Sequence, residues 1–458
     1  MRRNFVMRIL ASLLLIVVSL TLPAKKNVKY VFYMIGDGMG INSAYAADIF
    51  NREAGLPEVN FLDFPFKTFI TTHAANSLVT DSAASGTALA TGSKTLVSRL
   101  GNDENGNPLT SIAELAKEKG YGVGIISSVG VNHATPAAFY GHVDERNMHD
   151  ILARQLIDSK VDFAAGATIH ADSHKPEYWV EEARKAGIEV YQGHGSYIPT
   201  DKRVLCLPSS LKHGDLPYAI DRQEGDTELA DFTRAAIDHL YSNYAKKGFF
   251  LMVEGGSIDH ACHSNDAATA IHEINDFCVS IDMALEFYRQ HKDETLIVVT
   301  ADHDTGGMSL GNGRYEMHLD RLKGQTCSVN TLTSRLNQLI KENGKDATWE
   351  QARAIIQDAF GLWSVVPVDS KAEEEMKVVF AKTISGEAAT EKDLYSTNSK
   401  LATLALKYLS GKAMVGWISR SHSGSPLGLY VIGRGAESFI SANDNTDIPK
   451  LISKLAKY

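Results

Sequence analysis

The sequence predicts an α/β fold organised around a mostly parallel sheet. Near-continuous apolar runs recur along the chain, as expected of strands buried on both faces. Segments with a helical period stand between them, so strands and helices alternate. Acids and histidines also follow directly after several of these runs, where open α/β sheets gather their ligands.

The first run covers residues 29–35 and ends in Gly36-Asp37-Gly38-Met39-Gly40. An Asp flanked by glycines at the end of a buried strand serves a core poorly, so Asp37 is either a turn residue or a ligand. Ser111, followed three residues later by Glu114, is a capping-box pattern opening a helix that stops at Gly120. Residues 121–128 read as the next strand, and 161–165, 248–253 and 294–300 as three more. Between the last two, residues 266–291 carry Ile271, Ile274, Phe277, Cys278, Ile281, Leu285 and Tyr288 at helical spacing. The stretch from about 310 to 415 differs, with helix signals at 333–343, 348–360 and 372–383 and few strand signals. Thr348 there sits at a cap position and Gln351 at the box position. This stretch reads as an inserted or appended helical subdomain.

Composition narrows function by exclusion. The chain has 458 residues, 44% hydrophobic and 22% charged, which is ordinary for a globular protein and long enough for a large core. A formal charge of −9 argues against binding nucleic acid by neutralising its phosphates. Four Cys rule out a disulfide scaffold, although Cys206, Cys262, Cys278 and Cys327 could close up to two bonds in an exported chain. The N-terminus suggests export. Arg2, Arg3 and Arg8 precede an apolar run over 9–22, and Ala24 stands before Lys25 and Lys26, the layout of a signal peptide over 1–24. The run is shorter than the roughly 20 residues of a membrane span, so the mature chain 25–458 is expected to have none. The alternative is an uncleaved anchor. The expected location is periplasmic or extracellular.

Two strand ends are rich in metal-ligating groups. One is Val253-Glu254-Gly255-Gly256-Ser257-Ile258-Asp259-His260-Ala261-Cys262-His263, and the other is Thr300-Ala301-Asp302-His303-Asp304. Carboxylate with imidazole suits Zn²⁺, and carboxylate with hydroxyl oxygen suits Mg²⁺. One such strand end is as readily a structural ion pair; two of them, with Asp37, point to a multi-metal centre. His422, in Ser419-Arg420-Ser421-His422-Ser423-Gly424, is a candidate late ligand. Val79-Thr80-Asp81-Ser82-Ala83-Ala84 opens a helix of small residues, and its N-terminus favours an anion near Ser82. Alone it reads as a plain cap. His133-Ala134-Thr135-Pro136, followed by His142 and Arg146, offers imidazole, hydroxyl and guanidinium, and alone reads as a polar loop.

As an ordered set these motifs resemble the alkaline phosphatase family, over most of the chain after residue 24. The resemblance implies an alkaline-phosphatase-like three-layer sandwich, one catalytic domain over 25–458 with the helical insertion at about 310–415. It implies hydrolysis of phosphate monoesters to an alcohol and inorganic phosphate through a phosphoserine intermediate, with two Zn²⁺ and one Mg²⁺. The first zinc would take Asp259, His263 and His422, and the second Asp37, Asp302 and His303. Asp37 would also bridge to Mg²⁺, completed by Thr135 and Glu254. Ser82 would be the nucleophile and Arg146, eleven residues after Thr135, the phosphate-binding group. Asp81, His133 and His260 would line the site at one remove from the metals. The family is usually a homodimer.

The physics fits these roles. A Ser hydroxyl is a poor nucleophile until a metal activates it, two cations can neutralise the attacking and leaving oxygens, and an Arg fork matches two phosphate oxygens. The rivals are the phosphodiesterases, sulfatases and mutases of the wider superfamily. Sulfatases need a modified residue in a motif that Asp81-Ser82-Ala83 does not match. Phosphodiesterases usually use Thr and lack the third metal, for which Thr135 and Glu254 are present here. A metal- or phosphate-binding protein without turnover is disfavoured by the presence of Ser82.

Overall fold

Nine strands form one sheet: β1 (Tyr30–Gly36), β2 (Phe66–Ile70), β3 (Gly122–Ser127), β4 (Phe163–Ala165), β5 (Glu189–Gln192), β6 (Val204–Leu207), β7 (Phe249–Gly255), β8 (Thr295–Thr300) and β9 (Leu427–Gly433). The computed structural model describes residues 27–211, 214–313, 315–387 and 390–458, so the expected signal peptide over 1–24 lies outside the described residues. The strand order is β2-β9-β8-β1-β7-β3-β4-β6-β5. Only β9 runs against its neighbours; every other pairing in the sheet is parallel.

The five runs legible as strands are the contiguous middle of this sheet, β8-β1-β7-β3-β4. Every residue of β1, β3, β7 and β8 is buried, which is why the sequence there is apolar without alternation. The four strands absent from the sequence reading lie towards the two edges. Two of them, β2 and β5, are the outermost and only partly buried.

Helices cover the sheet and end where their chemistry dictates. Ser111 and Glu114 close a capping box on helix Ile112–Glu118. The helix Ala267–Gln290 starts from Asp266, whose carboxylate accepts from Thr269 N at 3.1 Å, and buries Ile271, Ile274, Phe277, Cys278 and Ile281. Cys206, Cys262, Cys278 and Cys327 are four buried free thiols. Among the described residues no helix is long and apolar enough to cross a membrane.

Ser309–Leu310 pairs antiparallel with Val415–Gly416, and the chain between is mainly helical. It holds helices Val329–Asn343, Trp349–Phe360, Ser370–Ile384 and Lys400–Lys412. Thr348 and Gln351 form the capping box of the second. Two features there have no counterpart in the sequence reading, the helix Lys400–Lys412 and a hairpin of Thr390–Lys392 with Thr397–Ser399.

The register sets the chemistry. Ile35 pairs with both Glu254 and Thr300, and Glu254 also pairs with Ser127. The carboxyl ends of β8, β1, β7 and β3 therefore lie level and adjacent. The support beneath them is aromatic: Phe250 on β7 is fully buried among Tyr33, Phe139 and Tyr458, at ring-centroid distances of 6.3, 6.0 and 6.3 Å. Replacing Phe250 by Ala leaves a cavity under the site and is expected to cost about 3–5 kcal/mol, read as a lowered midpoint of denaturant unfolding.

Candidate metal centre and active site

Three groups of side chains converge at these strand ends, each with ligand atoms within 4.8 Å of one another. They are Asp259, His263 and His422; Asp37, Asp302 and His303; and Asp37, His133 and Glu254. Asp37 follows β1, Glu254 ends β7, and Asp302 and His303 follow β8. Asp259 and His263 lie on the short helix Ser257–His263 that leaves β7. His422 arrives from far along the chain through a two-residue antiparallel pairing, His422 with Thr305 and Ser423 with Asp304. The glycines after β1 allow this convergence. A Cβ on Gly38, whose φ is +68°, would stand 2.8 Å from the Asp259 Cα, and one on Gly40 would stand 1.8 Å from Asp304 Oδ1.

The histidines are aimed by their second nitrogens. His263 Nδ1 donates to the Arg420 carbonyl at 2.6 Å, and His422 Nδ1 to the Thr80 carbonyl at 2.9 Å. In their neutral forms both rings then carry a lone pair on Nε2, and these two atoms face each other at 3.2 Å. Two lone pairs at that distance need a proton or a metal cation between them. His303 follows the same logic. The Thr305 hydroxyl gives its proton to Asp259, so its oxygen accepts from His303 Nδ1 at 3.2 Å. His303 Nε2 is left facing Asp302 Oδ2 at 3.2 Å, Asp37 Oδ1 at 3.4 Å and Ser82 Oγ at 3.1 Å.

The carboxylates also call for cations. Asp37 Oδ1, Glu254 Oε1 and Asp259 Oδ2 are buried without a hydrogen-bond partner. Burying a charged oxygen in that way is costly unless a positive charge meets it. The donor set fits bound metal: imidazole with carboxylate in the first two groups, and in the third Asp37 and Glu254, with the Thr135 hydroxyl 3.3 Å from Asp37 Oδ2. His133 belongs to the third group by distance, nearer than an edge position. Its Nε2, however, accepts from the Arg146 guanidinium at 3.1 Å, so that lone pair is occupied.

Ser82 is the first residue of helix Ser82–Thr91, fully buried and capped by Asp81, whose Oδ1 accepts from Ala84 N at 3.0 Å. Gly86 on this helix permits close approach to the Ala134–Ala137 turn, since a Cβ there would stand 3.3 Å from the Thr135 Cα. Ser85 fastens the helix to the neighbouring strand end by donating to the Asp302 carbonyl at 2.6 Å. Arg146 donates to Asp81 Oδ2 at 3.2 Å and so stands beside Ser82. His260 takes its place through Asp215, with Nδ1 2.9 Å from Asp215 Oδ2. His142 lies elsewhere, bonded to the Gly101 carbonyl and to Glu114.

Four participants escape the sequence reading. The Ser127 hydroxyl donates to Glu254, Thr305 links Asp259 to His303, Asp215 holds His260, and Tyr395 lies over His260 at 3.7 Å between ring centroids. Only Ser127 carried a signal, its place at the end of a buried strand.

Burial and mutual repulsion divide the acids. Burial first, then Asp302, Asp259 and Glu254, push Asp37 well above the usual carboxylate range. Burial pushes Glu254 up to about 7, and burial with Asp259 and Glu254 pushes Asp302 up to about 8. Burial would raise Asp259 too, but the charge and hydrogen bond of His263 hold it well below the usual range. Burial keeps His133 and His303 neutral. The three raised acids bind protons in the metal-free fold that the unfolded chain releases near pH 4. The stability that these three acids contribute to the metal-free protein is therefore fully present below about pH 4 and lost as pH rises to about 8. Metal cations held among these acids would replace those protons. Above about pH 6.5, where the lowered His133 and His303 no longer oppose the acids, the melting temperature of chelator-treated protein is expected to fall towards about pH 8, and the gain on restoring metal to grow across the same window. A gain that stays flat with pH contradicts the placement of cations among these acids.

The family model described as alkaline phosphatase matches residues 26–170 and 199–458. Alkaline phosphatase 4 of Bacillus subtilis (strain 168) is 33% identical, across 94% of this chain and 90% of that protein. Alkaline phosphatase 3 of the same organism is 31% identical, across 94% and 90%. Among solved structures, the cold-active alkaline phosphatase of the psychrophile Shewanella sp. is 29% identical with a TM-score of 0.76, covering 93% of this chain and 99% of that one. Alkaline phosphatase from Thermus thermophilus, at 23% identity and a TM-score of 0.74, shares the fold. With that fold, these metal-ligating groups and these relatives, the chain belongs to the alkaline phosphatase family and is a phosphoric monoester hydrolase of that class.

Proposed function

We propose that this enzyme cleaves phosphate monoesters through a phosphoserine on Ser82, at a site holding two Zn²⁺ and one Mg²⁺. The observation that carries the reading is the position of Ser82. It opens a helix, stands 3.1 Å from His303 Nε2 in the second group of ligands, and follows the Asp81 that holds Arg146. Asp259, His263 and His422 would hold one zinc, Asp37, Asp302 and His303 the other, and Asp37, Glu254 and Thr135 the magnesium. The engagement of His133 with Arg146 favours this oxygen set for the third ion. When bound, the ions supply positive charge on both sides of the phosphorus and ease ionisation of the Ser82 hydroxyl.

The chain's own residues do the rest. Arg146 offers its guanidinium to two non-bridging oxygens of the phosphate and orients the group beside the helix N-terminus. Ser82 Oγ attacks phosphorus, the P–O bond to the alcohol breaks, and the alcohol leaves with a proton. Water then attacks the phosphoserine, the P–O bond to Ser82 breaks, and inorganic phosphate departs as Ser82 regains its proton. Asp81 and His133 hold Arg146 throughout, and Thr305, Arg420 and Thr80 hold the three imidazoles. Export to the periplasm or beyond, supported by residues 1–24, and pairing into a homodimer, supported by the family, belong to the same proposal.

The test is phosphate release by metal-loaded enzyme from an aryl monoester and from the matching diester. A faster diester would overturn the reading in favour of a phosphodiesterase. Ser82→Ala is expected to lower kcat at least about a thousandfold with zinc content unchanged. Arg146→Ala is expected to weaken inhibition by phosphate about 10- to 100-fold, the worth of a charge-assisted hydrogen-bond pair. Turnover that survives in Ser82→Ala sinks the phosphoserine route.

A further inference from the structure

The hairpin in the helical region between 310 and 415 reaches the site. Its turn is built on Asp393, which accepts from Tyr395 N at 3.0 Å and from Ser396 Oγ at 2.7 Å. Two ties fasten it to the segments that carry the first group of ligands. The Ser264 hydroxyl, next to His263, donates to Asp393 Oδ2 at 2.9 Å. Arg420, whose carbonyl orients His263, pairs with Glu391 at 3.0 Å. The hairpin is thus held in register with His263 and His422.

Its tip presents Tyr395 to three imidazoles. The ring lies over His260 at 3.7 Å between centroids and 32° between planes, meets the edge of His263 at 5.2 Å and 68°, and stands 6.2 Å from His133. These imidazoles belong to residues 8% exposed or less, yet Tyr395 itself is 37% exposed. The residue that covers these buried rings is therefore itself partly open to solvent. Leu394 beside it is 60% exposed and extends the apolar surface outward. A rigid aromatic face at the rim of a polar site offers little to a small hydrophilic alcohol and much to a flat apolar one.

We propose that Tyr395 is a specificity-determining residue whose aromatic side chain receives the organic group of the substrate, favouring monoesters of aromatic alcohols. This rests on the phosphomonoesterase reading and adds to it which alcohols the site selects. The selection would come from the hairpin, while the ligands that act on phosphate come from the sheet.

Calorimetric binding to the metal-loaded full chain tests this without relying on turnover. The probes are phenylphosphonate and inorganic phosphate, measured on the parent, Tyr395→Phe and Tyr395→Ala, with zinc content checked for each. Tyr395→Ala is expected to weaken phenylphosphonate about tenfold and phosphate less than about twofold, with Tyr395→Phe close to the parent for both. The Ala variant removes no backbone contact of the Asp393 turn. Equal weakening of both probes, or lost zinc, makes Tyr395 a support for the imidazoles and overturns the proposal, as does no change in either. A parent that binds neither probe overturns the phosphomonoesterase reading beneath it.

Discussion

Four buried carboxylates crowded at one place are the constraint on which the rest of this structure turns. Asp37, Glu254, Asp259 and Asp302 are each fully shielded from water, and the level ends of β8, β1 and β7 force three of the four strand exits together. No packing of apolar groups relieves such a concentration of charge; cations, protons and hydrogen-bond donors do. The neighbouring chain is arranged as donors. Gly38 N and His303 N both donate to Asp302 Oδ1, at 3.1 and 2.9 Å, and the hydroxyls of Ser127 and Thr305 donate to Glu254 and Asp259. What these donors leave unsatisfied is what the proposed metals would take up.

The parts of this arrangement legible in the sequence are those in which one residue type has few other uses. An Asp between glycines after a fully buried strand, or Glu, Asp and two His in the ten residues after another, is hard to spend on a core. The middle five strands are legible for a related reason: burial on both faces leaves an unbroken apolar run. The edge strands β2 and β5 lack that signature because one face meets water. Thr305 and Asp215 were hidden for a different reason. A hydroxyl or carboxylate that orients an imidazole carries no spacing of its own, since its partner is brought to it by the fold. His133 shows the limit of motif reading. Its position is legible, but its closeness to Asp37 and Glu254 and its bond to Arg146 are facts of three dimensions.

The helical region between Ser309–Leu310 and Val415–Gly416 is more than an appendage on the sheet. The chain that leaves it runs straight into Arg420 and His422, so its exit strand sets where the late ligand arrives. Its hairpin returns to the same place through Glu391 and Asp393. The site is therefore assembled from two directions, acids and two histidines from the sheet side, an aromatic rim from this region and one histidine from the chain that follows it.

Charge ties these features to the substrate. A chain of formal charge −9 is a poor attractor of phosphate dianions as a whole. With the proposed ions in place, six positive charges meet four carboxylates, and Arg146 adds a seventh, so the local field opposes the net charge. A fully free guanidinium in such a field would also hold the product strongly. Arg146 is not fully free: Asp81 Oδ2 and His133 Nε2 both take hydrogen bonds from it. In the proposed reaction a phosphate would share that fork with Asp81, which would moderate its grip at the same atoms that would orient it towards Ser82. On that reading Asp81, which caps the helix of Ser82, would also govern how readily the product leaves.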